Sequence, residues 1–517
     1  MIDRRALVAA TLLASLSPRL ASAKVEGARK FDFIDLVALA RSLRDKPHAA
    51  PSSPAKDVLD RIDYVEHGEI RHAPDKAEYP ESEFPITYFP LGQLFKKPVR
   101  IFRLIDGLAA EVAYDPALFD APAGSPMNDL PDDAGFAGFR IHDKGQDGKT
   151  WGDWAAFLGA SYFRSSGDDR QYGVSARGVA VNTEAFLGEE KEEFPDFTRF
   201  YVSPAKDGMI QVLALLEGPS LTGAYRFAIR RDPKVTFQVS ARLFLRRDVR
   251  RLGIAPATSM YSHSETLRWA GPDWRPEIHD SDGLLIHNGA GERIWRPLNN
   301  PPRVMVSAFA DASPTGFGLM QRDRAYGSYR DPVRYDRRPH LWVETQGDWG
   351  RGSVQLVEIP TQTEYEDNIV AFWVPDEPAK AGQDLKFDYV LHFAKEEPKG
   401  SWLARCVATR LSKMAETPVE DRADGVEPTH RDFVVEFAGG ELHRDGASLV
   451  TPVASASRGH ITRLDAAPEP DGSAMLRIFF RVHAHGEEPV ELRLVLERDG
   501  KPASETWLFQ YHPEHWA

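Results

Sequence analysis

Two acidic clusters contain the residue types that acid–base chemistry on a sugar requires. They are residues 278–282 (IHDSD) and residues 363–368 (TEYEDN). Hydrolysis of a glycosidic bond uses one protonated carboxyl as general acid and a second, ionised carboxylate as base, commonly from distant parts of the chain. Mutual repulsion and burial at a strand start can raise the pKa of one carboxyl in the second cluster. Taken alone, both clusters also fit acidic loops that precede strands, which is the commoner arrangement.

Charge and aromatic content favour a neutral carbohydrate as the ligand. The 517 residues include 64 basic and 77 acidic ones, for a formal net charge of -13. Such a surface repels phosphate backbones and anionic lipid, so we expect no nucleic-acid partner. The 15 Tyr and 11 Trp residues offer flat faces on which sugar rings can stack.

Other classes of site lack their motifs. The single cysteine, Cys406, excludes an intrachain disulfide, a cysteine zinc site and a CxxC redox motif. Residues 145–150 (GQDGKT) resemble a phosphate-binding loop, but Asp143 occupies the position of its first glycine. Residues 280–283 begin like a calcium-binding loop, yet Gly291 stands where the closing glutamate is needed. GxSxG, HExxH and GxGxxG are absent from the sequence, and we expect neither a metal nor a cofactor.

The elements that must position these residues are mainly strands. Apolar and polar residues alternate over residues 235–245, which predicts a half-buried strand. Similar runs predict strands at residues 209–216, 221–230, 303–310, 353–359 and 385–393. One short helix is expected after Asp32, a good N-cap that precedes apolar residues at helical spacing. Many strands, few helices, 39 Gly and 38 Pro predict an all-β fold built of antiparallel sandwiches.

The pattern changes near residue 396, where charges and prolines increase and apolar periodicity weakens. We therefore predict a large domain over residues 24–398, a linker over 399–428 and a C-terminal domain over 429–517. Strands are expected in the last domain at residues 433–437, 476–482, 490–497 and 506–511. About 90 residues of short alternating strands are typical of an immunoglobulin-like sandwich.

Residues 1–23 have the pattern of an export signal. Two arginines at positions 4 and 5 precede an apolar run over residues 6–16, and Ala21-Ser22-Ala23 has the form that signal peptidases accept. The run is shorter than the roughly 20 residues that span a bilayer. We expect cleavage after Ala23, a periplasmic location and no stable membrane insertion. The twin-arginine and general secretory routes both remain open.

A series of short motifs then connects the chain to a known family. In chain order they are GFAGFR (135–140), FLGASYFR (157–164), QYGVSARG (171–178), EEFPDFT (192–198), LTGAYRF (221–227), LGIAPATSM (252–260), IHDSDGL (278–284), RPLNNP (296–301), GFGLMQRDR (316–324), RPHLWVE (338–344), EIPT (358–361), DNIVAFW (367–373) and SETWLFQY (504–511). Over nearly the whole mature chain they resemble the osmoregulated periplasmic glucan biosynthesis proteins D and G of proteobacteria. The paired arginines near the N-terminus resemble the D branch more than the G branch.

The resemblance implies a fold, an activity and a catalytic pair. The implied fold is a large N-terminal β-sandwich of the galactose mutarotase-like type, joined to an immunoglobulin-like C-terminal β-sandwich. The implied activity is that of an inverting endo-β-1,2-glucanase with no metal requirement. By position, the general acid falls on Asp367 in DNIVAFW and the carboxylate on the water side falls on Asp280 in IHDSDGL. Related members instead close the glucan into a ring by transglycosylation, and the two outcomes remain open.

Four aromatic residues are candidates for stacking on glucose rings: Tyr162, Tyr335, Trp342 and Trp349. A tryptophan in a strand also fits a core position, so each has two interpretations. An inverting reaction leaves room for a water, so we expect the two catalytic carboxyls to lie about 6.5 to 9.5 Å apart or further. We expect both in one elongated groove on the large domain, flanked by some of Tyr162, Trp342 and Trp349.

Four polar residues complete the candidate site. Arg164 and Arg177 can bind sugar hydroxyls or form structural ion pairs. His279 fits an orienting or structural role better than that of a proton carrier, and Asp282 fits a turn or supporting position better than that of the base.

Two further function classes remain as alternatives. A non-catalytic module that binds β-1,2-glucan could guide the polymer from an inner-membrane synthase, with the C-terminal domain as docking surface. A sugar mutarotase is suggested by fold type alone, which does not decide function. The expected ligand is β-1,2-glucan in each of the first two cases, and the synthase and a second copy of the chain are candidate protein partners.

Overall fold

The computed structural model describes residues 27–144, 151–183, 191–232, 234–266, 273–397, 402–412, 430–440, 442, 449–470 and 473–513. The expected export signal, the GQDGKT loop and most of the expected linker lie outside these residues.

Strands dominate the described chain. The described residues contain four α-helices: α1 (Phe33–Arg44), α2 (Lys56–Leu59), α3 (Tyr64–Glu69) and α4 (Tyr326–Tyr329). The strands are β1 (Arg29–Lys30), β2 (Arg71–His72), β3 (Ile86–Phe89), β4 (Arg100–Ile105), β5 (Leu108–Glu111), β6 (Phe119–Asp120), β7 (Gly138–Lys144), β8 (Trp151–Leu158), β9 (Tyr162–Ser165), β10 (Ser175–Arg177), β11 (Val179–Val181), β12 (Asp196–Val202), β13 (Met209–Glu217), β14 (Leu221–Arg230), β15 (Val235–Leu245), β16 (Leu252–Ser259), β17 (Tyr261–His263), β18 (Ile278–His279), β19 (Gly283–His287), β20 (Arg293–Pro297), β21 (Met305–Ala312), β22 (Gly316–Met320), β23 (His340–Gln346), β24 (Arg351–Glu358), β25 (Ile369–Pro375), β26 (Asp384–Ala394), β27 (Arg405–Leu411), β28 (His430–Ala438), β29 (Thr451–Ala456), β30 (His460–Pro468), β31 (Met475–His483), β32 (Val490–Arg498), β33 (Lys501–Pro502) and β34 (Thr506–Tyr511).

Two large sheets face each other in the N-terminal part of the chain. The larger has the order β1-β5-β4-β12-β13-β14-β15-β26-β23-β22-β19-β20-β34-β32-β29, and the smaller has the order β21-β24-β25-β16-β10-β9-β8-β7-β3. Phenylalanines fill the space between them: Phe163 of the smaller sheet lies 5.1 Å from Phe227 and 5.8 Å from Phe237 of the larger one, measured between ring centroids. The fold is therefore all-β, as the sequence predicted.

The predicted strands and helix are confirmed in position. Strand β15 covers residues 235–245, and it pairs with β14 on one side and β26 on the other. Helix α1 begins after Asp32, whose side chain accepts the N–H groups of Ile34 and Asp35 in a capping box. Its buried residues Leu36 and Ala40 pack on the outer face of the larger sheet.

The C-terminal part contains two further layers. A four-stranded sheet, β27-β28-β31-β30, lies beside the strands β34-β32-β29, which continue the larger sheet. Strand β27 falls inside the segment expected to be a linker. A bulge between Cys406 and Ala408 interrupts its pairing with β28, and an inserted residue breaks the period-two pattern that would have predicted a strand. The boundaries of the domains themselves stay a prediction.

The two parts are joined by backbone pairing as well as by packing. Strand β20 pairs in parallel with β34, with Ile294 opposite Thr506 and Trp295 opposite Trp507. One hydrophobic cluster contains Trp295 and Trp342 together with Trp507. Within the described residues, no helix is long and apolar enough to cross a membrane.

Candidate active site

Asp367 is held two residues before β25 by its neighbour Asn368. The Asn368 N–H donates to the Ser259 carbonyl at 3.0 Å. Its side-chain amide accepts the Tyr261 N–H at 2.7 Å and donates to the Tyr261 carbonyl at 2.9 Å. Asn368 is buried, so these bonds fix the backbone that presents the Asp367 carboxyl.

The Asp367 carboxyl is anchored through one oxygen. Its Oδ2 accepts hydrogen bonds from the Thr258 hydroxyl at 2.8 Å and from the Ser175 hydroxyl at 3.3 Å. The two hydroxyls are also within hydrogen-bond distance of each other, and their two protons fill two of these three contacts at a time. Burial raises the pKa of the adjacent Tyr162, and the charge of Asp367 raises it further. Among the described residues, hydrogen bonds reach Asp367 only at Oδ2, which leaves Oδ1 available to a ligand.

Asp280 follows β18 and lies beside the same stretch of chain. Its N–H donates to the Met260 carbonyl at 2.8 Å, and the next residue, Ser281, bonds the Ser259 hydroxyl at 2.7 Å. The Asp280 carboxylate is buried and forms an ion pair with Arg338. Residues 258–261 thus contact the segments of both predicted catalytic aspartates, although these are far apart in sequence.

Arg338 links the two aspartates electrostatically. Burial lowers its pKa to about 10, and the charge of Arg164 acts in the same direction, whereas the carboxylates of Glu364 and Asp367 oppose the shift. Its guanidinium is therefore close enough to Asp367 to feel that charge while it pairs directly with Asp280. Sequence reasoning did not single out Arg338, although it begins the RPHLWVE motif.

Tyr335 contacts Arg338 and other charged side chains beside the two aspartates. Its hydroxyl donates to Glu364 at 2.6 Å, and Arg275 also binds Glu364, at 2.8 Å. The Arg338 guanidinium carbon lies 4.0 Å from the centroid of the Tyr335 ring, and the Tyr329 ring stacks on Tyr335 with 5.7 Å between centroids. The ring is buried, which differs from the expected stacking on glucose. Tyr335 instead holds charged side chains in place.

Glu364 is not the protonated carboxyl of its cluster. Burial acts to raise its pKa, but hydrogen bonds from Arg275 and Tyr335 hold that pKa below the ordinary value. Glu364 therefore stays ionised at neutral pH. The adjacent Glu366 is exposed.

A cleft beside Asp367 contains three of the predicted binding residues. Strands β9 and β10 pair with Arg164 opposite Ser175 and with Tyr162 opposite Arg177, so all four side chains share one face of the sheet. Tyr162, Arg164 and Arg177 line a cavity of about 540 Å³, and Phe194 contributes to its wall. Arg177 lies 5.4 Å from the Phe194 ring centroid.

Comparison with known proteins identifies the family of this chain. The family described as "Periplasmic glucan biosynthesis protein, MdoG" matches residues 31–511. The chain belongs to the MdoG family. It is 46% identical to Glucans biosynthesis protein D 2 of Ralstonia nicotianae over 534 residues, which cover 99% of this chain and 98% of that protein. It is 41% identical to Glucans biosynthesis protein D of Xanthomonas campestris over 526 residues, covering 98% and 96% of the two chains. It is 42% identical to Glucans biosynthesis protein D of Stenotrophomonas maltophilia, covering 97% and 93%.

Two predicted stacking residues of this MdoG-family chain lie elsewhere. Trp342 is buried against His287, with 4.7 Å between ring centroids, in the cluster shared with the C-terminal strands. Trp349 is buried against Phe387, and its Nε1 donates to the Asp388 carbonyl at 3.3 Å. Neither ring offers a face to a sugar, because each is covered by a neighbouring strand of the folded sheets.

Among the described residues, three exposed aromatic rings lie in loops next to residues of the site. Phe194 at the cleft is 53% exposed, Tyr365 in the acidic cluster is 90% exposed, and Trp274 next to Arg275 is 70% exposed. The sequence motifs did not single out these three rings. Their position in loops beside charged residues was the available signal.

His279 and Asp282 lie behind the site. His279 is fully buried: its ring stacks on Tyr261 at 5.7 Å and cannot touch a substrate in this position. Burial and the neighbouring charge of Asp323 raise the pKa of Asp282 well above its ordinary value. Its Oδ2 accepts the backbone N–H groups of Arg322 and Asp323 at 2.9 and 3.1 Å.

Proposed function

We propose that this MdoG-family protein acts in periplasmic glucan biosynthesis as an inverting endo-glycoside hydrolase on β-1,2-glucan. The family description and the names of the relatives support the role in glucan biosynthesis. The observation that carries the reaction type is the chemical contrast between the two aspartates. Asp280 is paired with a guanidinium, whereas Asp367 is bonded by neutral hydroxyls.

Asp280 suits the base side of the reaction. An arginine in direct contact favours the ionised form of a carboxylate, so Asp280 enters the reaction without a proton. An ionised carboxylate can accept a proton from an attacking water, directly or through a further water. The same ion pair makes Asp280 unsuited to donate a proton to the leaving group.

Asp367 suits the acid side. Two hydroxyls fix one oxygen of its carboxyl, and the other is available to the glycosidic oxygen of a bound chain. In the proposed reaction, water attacks the anomeric carbon from the face opposite the leaving group and gives a proton to Asp280. The bond from the anomeric carbon to the glycosidic oxygen breaks, and that oxygen takes the Asp367 proton. The new reducing end therefore has the inverted, α configuration.

The cleft beside Asp367 suits a neutral glucan. Arg164 and Arg177 offer donors to hydroxyl groups, and Phe194 offers an exposed aromatic face. We assign the protein to the periplasm on the basis of the family description and the export pattern of residues 1–23.

The deciding experiment incubates the purified mature chain with linear β-1,2-glucan and follows product mass and anomeric form. We expect shorter linear products, each fragment heavier by one water than the corresponding ring, with α reducing ends appearing first in NMR spectra. The Asp282→Asn variant is a matched control. It makes the same chemical change in the same motif as Asp280→Asn, but at a side chain that lies behind the site. Cyclic products would indicate transglycosylation instead of hydrolysis. Binding of the glucan without cleavage would indicate a non-catalytic glucan-binding module.

A further inference from the structure

A second cluster of ionisable groups lies behind the catalytic pair. Its members come from three segments of the large domain: Glu265, Glu277, His279, Asp282 and Asp323. One potential metal-ligand atom from each of Glu277, His279 and Asp323 lies within 4.8 Å of the other two. Glu277 and His279 are buried, and Asp323 is half-buried. The proposed hydrolysis does not use this cluster.

The hydrogen bonds of His279 determine which ring nitrogen has a lone pair. The Gln321 side-chain amide donates to the His279 carbonyl at 3.0 Å and to the Tyr335 carbonyl at 3.2 Å. Its Oε1 therefore accepts a hydrogen bond, at 2.9 Å, from His279 Nδ1, which must carry the proton. In the neutral ring Nε2 then has a lone pair, and it faces Glu277 Oε2 at 3.2 Å. Two acceptors face each other, which requires a cation or a proton between them.

The neighbouring carboxyl groups have no directly paired counter-charge. Asp282 is only 9% exposed. Its Oδ2 accepts the Asp323 N–H, which places the Asp282 carboxyl group next to the cluster. Its Oδ1 is buried and has no hydrogen-bond partner among the described residues. In the part of the chain that the structure describes, neither Asp282 nor Asp323 forms an ion pair with an arginine or lysine. Buried carboxylates without a counter-charge are costly.

We propose that Glu277, His279 and Asp323 bind one divalent metal ion of the zinc or manganese class. One imidazole with two carboxylates suits such ions, whereas Ca²⁺ and Mg²⁺ prefer oxygen ligands alone. Metal bonds to imidazole and carboxylate are about 2.0 to 2.2 Å long, so three ligand atoms that lie within 4.8 Å of one another must move closer together to share an ion. Asp282 Oδ1 would accept a hydrogen bond from a water on that ion. Gln321 supplies the partner that a metal-bound histidine commonly has on its other nitrogen.

Such an ion would have a structural effect. Asp323 follows Arg322, which binds Glu505 at 2.6 Å and Glu397 at 2.8 Å and so connects the segment to the C-terminal strands. Successive side chains of extended backbone point to opposite sides, so an ion on His279 lies apart from the Asp280 carboxylate that follows it. We therefore expect the metal to stabilise the fold without entering the reaction, which also makes the proposal independent of the hydrolytic function.

The test uses the full mature chain with any affinity tag removed, since polyhistidine binds the same metals. Elemental analysis of the purified protein, and calorimetric titration of chelator-treated protein with Zn²⁺ and Mn²⁺, should give about one equivalent. Thermal unfolding should shift upward with either ion and not with Mg²⁺ or Ca²⁺. An ion at 100 times its Kd raises the folded-to-unfolded ratio about 100-fold.

Variants locate the ion. Glu277→Gln and Asp323→Asn should each abolish the metal-dependent shift. Glu358→Gln is the matched control, because Glu358 is also buried but is satisfied by Arg296 at 3.1 Å and by the Asn299 N–H at 2.6 Å. This variant should retain the shift. The proposal is overturned if the wild-type chain binds no metal and unfolds at the same temperature with and without metal. Protons shared between the side chains of the cluster would then be the explanation of their close approach. A shift that persists in both variants would overturn the proposal as well.

Discussion

Replacing Asp367 with asparagine changes one proton donor and little else in the structure. The hydroxyls of Thr258 and Ser175 reach Oδ2 at 2.8 and 3.3 Å, and an amide oxygen can accept both bonds. A hydrogen bond to a charged group is worth about 1 kcal/mol more than one to a neutral group. Loss of the carboxyl group should therefore lower the free energy of unfolding by no more than about 2 kcal/mol, and the variant should fold.

The effect on catalysis should be much larger. A positioned general acid contributes a factor of about 100 to 10,000, which corresponds to about 3 to 5 kcal/mol of transition-state stabilisation. An amide cannot supply the proton, so kcat of Asp367→Asn should fall by this factor. Because the Asp280–Arg338 pair and the cleft residues are unchanged, KM should stay within about threefold of the wild-type value.

The assay measures initial rates on linear β-1,2-glucan across a range of pH. Activity that needs a protonated acid falls at high pH, and this alkaline limb should disappear from the residual rate of Asp367→Asn. The control is Glu366→Gln, the same chemical change on the adjacent exposed carboxylate, which should retain wild-type rates. An Asp367→Asn enzyme with near-normal kcat and an unchanged pH profile would refute the assignment of the acid.

Three further predictions follow from the sequence and the structure. Asp280→Asn should reduce kcat at least about 100-fold, since the attacking water loses its proton acceptor; if only Asp282→Asn is inactive in the same assay, the wrong carboxylate of the motif has been chosen. Mass spectrometry of the periplasmic protein should find Lys24 at or near the N-terminus, and a mature chain that retains residues 1–23 in the membrane fraction would contradict export and cleavage. Burial acts to raise the pKa of Glu397, but Arg322 and Arg293 lower it from 4.5 to about 2. A carboxyl group whose pKa is lower in the folded state than in the unfolded state stabilises the fold at pH values above its unfolded pKa. The free energy of unfolding should therefore decline as the pH falls from about 4.5 to 2. Glu397→Gln should flatten that decline in thermal unfolding, and an unchanged slope would count against the ion pairs as its cause.

The strand content and the helix could be predicted because their signals are local. Alternation of apolar and polar residues over 235–245 reports which side of a strand is buried, whatever the strand packs against. The Asp32 cap acts within one turn of α1. Strand β27 escaped prediction because the bulge after Cys406 shifts its alternation by one residue.

The candidate site was accessible from the sequence only where it lies in short motifs. The family motifs contain Asp367 and Asp280. They also contain Tyr162, Arg164 and Arg177, which the pairing of β9 with β10 brings to one cleft. The burial of Trp342 and Trp349 was not accessible, because it depends on strands that cover them from elsewhere in the chain.

The sequence by itself determined an all-β fold, the short helix and the residue types available for acid–base chemistry, since each is written in neighbouring residues. Only the tertiary structure decided which charges meet. The pairing of Arg338 with Asp280, the hydroxyls on Asp367 and the orientation of His279 by Gln321 all join segments that are distant in sequence. Electrostatic and hydrogen-bond energies depend on distances of a few ångströms, and the packing of the two sheets sets those distances.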